Sequence, residues 1–234
     1  VKLLLDGIWN GTKSLISRTK VGQVPRLLLK VNYSKENYHI GDLDRMVKLI
    51  TEIPHENIRD TTDFQLDLSE LIGKLASEKD SIKGIVLTSA KKSFFGGGDL
   101  KSMIKAGPAD AEDLYERSMG IKERMRALET CGVPVVSAIN GAALGGGLEL
   151  ALATHHRVMA DARGAKVGLP EVTLGLLPGG GGIVRTVRMF GLAQAVPNIL
   201  MSGRSFAPAK ALEAGLVDEV VEPEKLIDSA KAWL

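Results

Sequence analysis

One cysteine, Cys131, stands alone in 234 residues, so no internal disulfide can form and no cysteine-based zinc site can be assembled. That scarcity suits a reducing compartment and argues against secretion. Long apolar runs are missing as well. Nothing approaches the ~20 residues needed to span a bilayer, and Leu3-Leu4-Leu5 is cut at once by Asp6. An excess of one charge is also lacking: 30 Lys+Arg against 28 Asp+Glu give net +2, so no overall field draws the chain to nucleic acid or to an acidic membrane. The start of the chain departs from this balance, with Lys2, Lys13, Arg18, Lys20, Arg26 and Lys30 against Asp6, as organellar transit peptides do. The expected location is cytoplasmic, with the mitochondrial matrix as the alternative.

Several ligand signatures are absent. No Gly-Lys-Ser/Thr ending follows Gly179-Gly180-Gly181-Gly182, and no G-x-G-x-x-G follows a strand, which disfavours nucleotide-fold binding. His155 and His156 are adjacent and cannot share one face of a regular element, unlike the i, i+4 pair of a zinc helix. No metal site is expected.

What the chain does have is an ordinary globular composition, 44% hydrophobic and 25% charged, at a length that allows one large domain or two small ones. It also has clustered glycine. Ten of its 26 glycines fall in Gly96–Gly98, Gly145–Gly147 and Gly179–Gly182. Glycine is placed where the backbone needs positive φ or where something must approach the main chain closely. Three clusters suggest a binding site built from backbone.

Apolar periodicity orders the rest. Leu27 to Val31 reads as a strand, Asp42 to Ile50 as a helix, Leu66 to Leu75 as a helix and Gly84 to Thr88 as a buried strand. A helix opens at Asp99, and another runs from about Asp110 to Leu128. Pro134 to Ile139 is a buried strand, Leu148 to Ala153 a helix and Arg157 to Ala160 a short strand. Helical stretches follow at 183–190, 193–201 and Pro208 to Ala214, then a strand at Val217 to Val221 and a helix from Glu224 onward. The alternation predicts an α/β fold with buried, mostly parallel strands.

Two of these elements share one design, a buried strand running into glycines and then into a helix. Gly84 to Thr88 leads through Ser93-Phe94-Phe95-Gly96-Gly97-Gly98 into Asp99-Leu100-Lys101, and Val135 to Asn140 leads through Gly141 to Gly147 into Leu148-Glu149-Leu150. Each places free N–H groups at the positive end of a helix with no side chain in the way, and two such ends converging would make an oxyanion hole. The plainer reading is that the glycines only permit tight turns and close packing. Glu149 lies in a first helical turn, where an acid also serves structure alone. Glu171 follows the rigid Gly168-Leu169-Pro170 and could be a solvated loop residue. Two carboxylates brought to one apolar pocket would instead raise one pKa and separate acid from base.

The runs NGAALGGGLELAL and GLPEVTLGLLPGGGG, with SFFGGGDLKSM upstream, resemble the enoyl-CoA hydratase/isomerase (crotonase) superfamily, and most closely the hydratase domain of bacterial multifunctional fatty-acid oxidation proteins. The resemblance covers residues 62 to 234 and implies a crotonase-like (ClpP/crotonase) spiral of ββα units with helices packed around it. It implies an acyl-CoA thioester whose carbonyl oxygen sits between the N–H groups of Gly98 and Gly146, with Glu149 and Glu171 as the two catalytic glutamates of a hydratase. Isomerases of the family often keep only the latter. Contacts to substrate fall, on the same resemblance, to Phe94, Phe95, Gly96, Gly97, Asp99, Leu100, Leu144, Gly145, Pro170 and Gly179, although Phe94 and Phe95 equally suit core packing. Lys91, Lys92 and Lys101 are candidates for CoA phosphates or are simply solvated. Neither glutamate role requires a metal or redox cofactor, and coenzyme A is part of the substrate. The implied partners are the thioester and either further copies of the chain, on a trimeric plan, or the rest of a multifunctional protein.

The resemblance has limits. The apolar opening strand, the Asn-Arg-Pro-like turn and the Asn-Ala helix start typical of the family are not found in residues 1 to 60, so residues 1–61 form an unrecognised N-terminal segment before a domain over 62–234 that looks short at its C-terminal end. Residues 62 to 65 look like the family's first helix. The spacing of 171 − 149 = 22 between the glutamates is longer than the family pattern and points to an insertion at Ala162 to Ala165. A Δ3,Δ2-enoyl-CoA isomerase or another enolate reaction on acyl-CoA, and a silent fragment that only binds CoA or a partner, are the alternatives to a hydratase.

Overall fold

The sheet is organised around Val135–Ile139 (β5), a run of five residues that are all buried. A strand covered on both faces reads as continuous hydrophobics rather than alternation, and β5 is such a strand. The computed structural model describes residues 28–33, 48–50, 65–67, 70, 73, 74, 77, 82–97 and 107–234. In chain order the strands before β5 are Leu28–Tyr33 (β1), Lys48–Ile50 (β2), Gln65–Asp67 (β3) and Ile82–Thr88 (β4). After it come Ala143–Leu144 (β6), His156–Ala160 (β7), Val167–Gly168 (β8), Ser205–Phe206 (β9) and Glu219–Val221 (β10). The main sheet has the order β1-β4-β5-β7-β10. β4, β5, β7 and β10 run parallel, while β1 joins the edge antiparallel to β4, with Leu28 opposite Thr88.

Parallel neighbours need crossover connections, and helices supply them. Ala111–Glu129 (α1) lies between β4 and β5, and Gly146–Leu152 (α2) between β5 and β7. Gly182–Phe190 (α3), Leu192–Ala195 (α4), Pro208–Glu213 (α5) and Leu226–Trp233 (α6) follow, with one wide π-type turn at Val196–Leu200 after α4. Side-chain alternation divides the core into two layers. Val136, Ala138, Val158 and Ala160 face α6 through Leu226 and Ala230. Ile139 and Met159 face the other way, into a cluster with Leu148, Leu152, Val167, Leu169, Phe206 and Leu216. That second layer carries α2 and a small sheet of order β6-β8-β9.

Some expectations are corrected. The end of the expected helix over Asp42 to Ile50 is strand β2, paired antiparallel with β3 with Leu49 and Leu66 in register. The same pairing takes Gln65, Leu66 and Asp67 out of the helices expected from 62 and from 66, because a cross-strand partner overrides a local helical pattern. Glu70, the first described residue after β3, is helical. The strand expected from Val217 begins only at Glu219. The Asp218 carboxylate, not a main-chain carbonyl, accepts the Arg157 N–H at 2.8 Å, and the ladder starts with Glu219 opposite Val158. The helix expected at Asp99 lies outside the described residues. The adjacent histidines do part company: Nδ1 of His155 accepts the Val135 N–H, and His156 stacks on Trp233 at 4.7 Å.

Candidate active site

Two glycine-bearing turns are laid against each other at the end of the parallel strands. Phe94 and Phe95 donate their N–H groups to the Ala142 carbonyl at 2.9 and 3.1 Å, and the Leu144 N–H returns a bond to the Phe95 carbonyl at 3.1 Å. Only glycine fits at two of the crossing points: a Cβ on Gly141 would overlap the Lys92 carbonyl, and one on Gly147 would overlap that of Phe95. On the opposite side, Ala143 and Gly145 donate to the carbonyls of Lys166 and Gly168 at 2.8 and 2.9 Å. Residues 143–145 are thus the middle rung between Phe95 and β8. From there the chain enters α2, whose first residue is Gly146.

Gly146 opens its helix with an N–H that no carbonyl of the described residues accepts. It lies against Gly97, where a Cβ would come within 3.3 Å of the Gly146 nitrogen. Gly97 itself has φ +88°. The expected meeting of the two turns is therefore seen at Gly97 and Gly146. Gly98, Asp99 and Leu100, named with them, lie outside the described residues.

Glu149 stands three residues into α2, its N–H bonded to the Gly145 carbonyl at 3.0 Å. Its side chain is buried, 3% exposed, and does not reach solvent as first-turn acids usually do. Instead Oε1 accepts two main-chain N–H groups, from Gly180 and Gly182, each at 2.8 Å. Between these donors Gly181 takes φ +106°, which turns successive amides into a concave nest for an anion. Side chains are excluded from this nest. A Cβ on Gly180 would lie 2.9 Å from Glu149 Oε2, and one on Gly182 3.0 Å from Cγ and Oε1. With Oε1 fixed this way, Oε2 faces Gly146, 3.9 Å from where a Cβ there would stand.

Glu171 reaches the same turn from the other side. Pro170 caps a single 3-10 turn, Glu171–Leu174, and Gly175 closes it at φ +70°. The half-buried carboxylate puts Oε1 2.9 Å from the Cβ position of Gly145, while Oε2 is buried with no hydrogen-bond partner among the described residues. Burial pushes its pKa above the ordinary carboxylate value; a bond to its own backbone opposes this in part, and the charge of Glu149 adds to it. The two carboxylates therefore flank Gly145 and Gly146, and the charge of Glu149 is felt at Glu171. The Ala162–Ala165 segment is a turn between β7 and β8, closed by the Ala165 N–H on the Ala162 carbonyl, and it leaves this arrangement in place.

The remaining sequence candidates divide. Phe94 belongs to the core, 6% exposed, whereas Phe95 is 46% exposed with its ring 3.8 Å from the Cβ position of Gly146. Gly96 and Gly179 have open space where a Cβ would point. Leu144 contributes its carbonyl beside Gly97. Sequence reasoning missed the acceptors' true partners: the third glycine cluster encloses Glu149. Two charged residues behind it were also missed, Glu129 and Arg185, joined by a 2.7 Å ion pair. Main-chain donors have no residue-type signature, and this pair is 56 residues apart. Among the described residues no group of His, Cys, Asp and Glu could hold a metal ion, and no helix is long and apolar enough to cross a membrane.

The parallel sheet, the crossed glycine turns and the flanking layer of short strands make up the crotonase fold. A family model described as Enoyl-CoA hydratase/isomerase matches residues 64–234, and the chain belongs to this family. It is similar to the crystal structure of an enoyl-CoA hydratase from Bacillus anthracis, with 30% identity and TM-score 0.62 over 80% of this chain and 74% of that one. Pseudomonas aeruginosa DspI aligns at TM-score 0.63 and 27% identity, covering 85% and 82%. Curated relatives are the fatty acid oxidation complex subunit alpha of Shewanella loihica, 41% identical over 198 residues, and that of Idiomarina loihiensis, 42% over 190. These matches take in 83% and 80% of this chain but only 28% and 26% of the relatives, so the chain spans little more than a quarter of their length.

Proposed function

We propose that this chain is the enoyl-CoA hydratase part of a multifunctional fatty-acid oxidation protein, adding water across the 2,3 double bond of a 2-enoyl-CoA. The observation that carries the reading is the pair of carboxylates on either side of the Gly145–Gly146 turn, one held by two amides and the other raised in pKa. An isomerisation needs one carboxylate to move a proton. Addition of water needs a base for the water and an acid for carbon, and the two environments differ in that sense.

In this reading the thioester oxygen lies at the Gly146 N–H, with the Gly98 N–H as the second donor. Water attacks C3, and the electron pair of the double bond moves toward that oxygen as an enolate, whose charge the amides stabilise more strongly than the ground-state carbonyl. Glu149 Oε2 accepts the proton from the water. Glu171, whose carboxyl burial shifts toward the neutral form, gives its proton to C2, so that H and OH have been added and the charge has moved from Glu149 to Glu171. Proton exchange with solvent restores the pair. Phe95 lines the acyl side of the turn. Coenzyme A enters and leaves with the substrate, and no metal or redox cofactor takes part. The bacterial relatives suggest a cytoplasmic setting, with the thioester passed among parts of one larger polypeptide.

The test is turnover of crotonyl-CoA by the purified chain, followed by loss of the enoyl absorbance. Loss of that activity in both Glu149→Gln and Glu171→Gln supports hydration. Dependence of double-bond migration on Glu171 alone would replace the reading with isomerisation, and CoA binding without turnover would replace it with a silent binding fragment.

A further inference from the structure

The nest that holds Glu149 is made of consecutive glycines, which are the residues least able to hold their own backbone in place. Something else must fix it. Arg185, on the first turn of α3, donates from Nε to Glu129 Oε1 at 2.7 Å and from Nη1 to the Gly180 carbonyl at 2.9 Å. Glu129, the last residue of α1, is held in turn by Arg126, whose Nη1 donates to its Oε2 at 3.1 Å. The Gly180 carbonyl belongs to the peptide plane lying between the two amides that donate to Glu149. The guanidinium also covers Gly181, where a Cβ would overlap Nη1. With side chains 12% and 24% exposed, Arg185 and Glu129 are shielded enough for a charge-assisted contact to matter. Among the described residues no hydrogen bond joins either of them to the Gly145–Gly146 turn.

We infer that Glu129 and Arg185 are a positioning pair that locks the 180–182 backbone so that Oε1 of Glu149 is engaged and Oε2 is left aimed at the substrate side. The kinetic part of this inference rests on the hydratase reading; the structural part does not.

Two variants of the full chain test it, Arg185→Met and the milder Glu129→Gln, with thermal unfolding to confirm that each is folded. Amide exchange should quicken at Gly180 and Gly182 by about tenfold or more in Arg185→Met, and less in Glu129→Gln, while β5 amides keep their protection. In crotonyl-CoA hydration, kcat should fall about 10- to 100-fold with KM within about twofold, since misplacing a reacting group costs on that scale. In a Glu149→Gln background the same Arg185→Met change should alter kcat by less than about twofold, because the group it positions is already gone. Should Arg185→Met fail to fold, Glu129→Gln carries both readouts. Unchanged exchange at both glycines in the folded variants overturns the inference whatever the parent's activity. Full kcat loss on top of Glu149→Gln would show a role outside Glu149. A parent that hydrates no enoyl-CoA removes the hydratase reading and leaves the exchange result to decide the pair.

Discussion

Glu149 and Glu171 approach the same glycine turn, yet the two regions that carry them are built on opposite principles. Glu149 sits on a buried helix with one oxygen saturated by two amides, so its carboxylate has a fixed orientation and compensated charge. Glu171 opens a short turn whose following residues, Val172 to Gly175, are exposed, and it carries a buried oxygen that has no partner among the described residues. Desolvation that is only partly offset favours the neutral acid. The difference teaches that one site can hold two carboxylates in unlike surroundings, one oxygen engaged by two amides and the other carboxyl desolvated with only its own backbone to offset the burial.

The largest way to break the contrast is to neutralise each carboxylate. Glu149→Gln and Glu171→Gln should each lower hydration kcat/KM by about 10²–10⁴-fold, the usual scale of acid–base catalysis. Crotonyl-CoA assays of both variants check this, and near-parental rates in either would remove its role. The next effect separates glycines of one cluster. Gly182→Ala pushes a methyl against the Glu149 side chain and Leu169, and overpacking of that kind should cost about 1–3 kcal/mol in urea unfolding. Gly179→Ala meets no atom within 4 Å and should stay within about 0.5 kcal/mol.

A smaller effect is in pH. The folded Glu171 carboxyl has a raised pKa, so between the ordinary carboxylate value and that raised value the folded state binds more protons than the unfolded state. Stability therefore declines as pH rises through this window and levels off above it. Urea midpoints of the parent should show this decline relative to Glu171→Gln; parallel curves would contradict the raised pKa. The smallest effect is expected at Leu177, 75% exposed, where Leu177→Ser should shift stability by less than about 0.5 kcal/mol, against about 2–5 kcal/mol for Leu169→Ala in the core nearby.

Legibility in the sequence followed the kind of signal each element carries. β4 and β5 were visible as apolar runs bounded by turn residues, and α1 by its length. β6, β8 and β9 were not, since two residues define no period and their strand character comes only from their neighbours. For the same reason Lys48–Ile50 read as the end of a helix until Gln65–Asp67 supplied its partner. At the site, the glycine and proline contexts marked both glutamates only as candidates, and it was the resemblance to the family that paired them. What encloses Glu149 was not, because Gly180 and Gly182 act through N–H groups that every residue but proline possesses. Their glycines advertised close approach without naming the visitor.

The rung formed by Ala143 to Gly145 has a final consequence. Stitched to Phe95 on one edge and to Lys166 and Gly168 on the other, it gives the amide of residue 146 little freedom to swing when a carbonyl arrives. On the hydratase reading, such a pocket would complete its reorganisation once, during folding, and not at every turnover. Its tolerance for different acyl chains should then be decided by the walls around the rung, which can vary while the rung stays still.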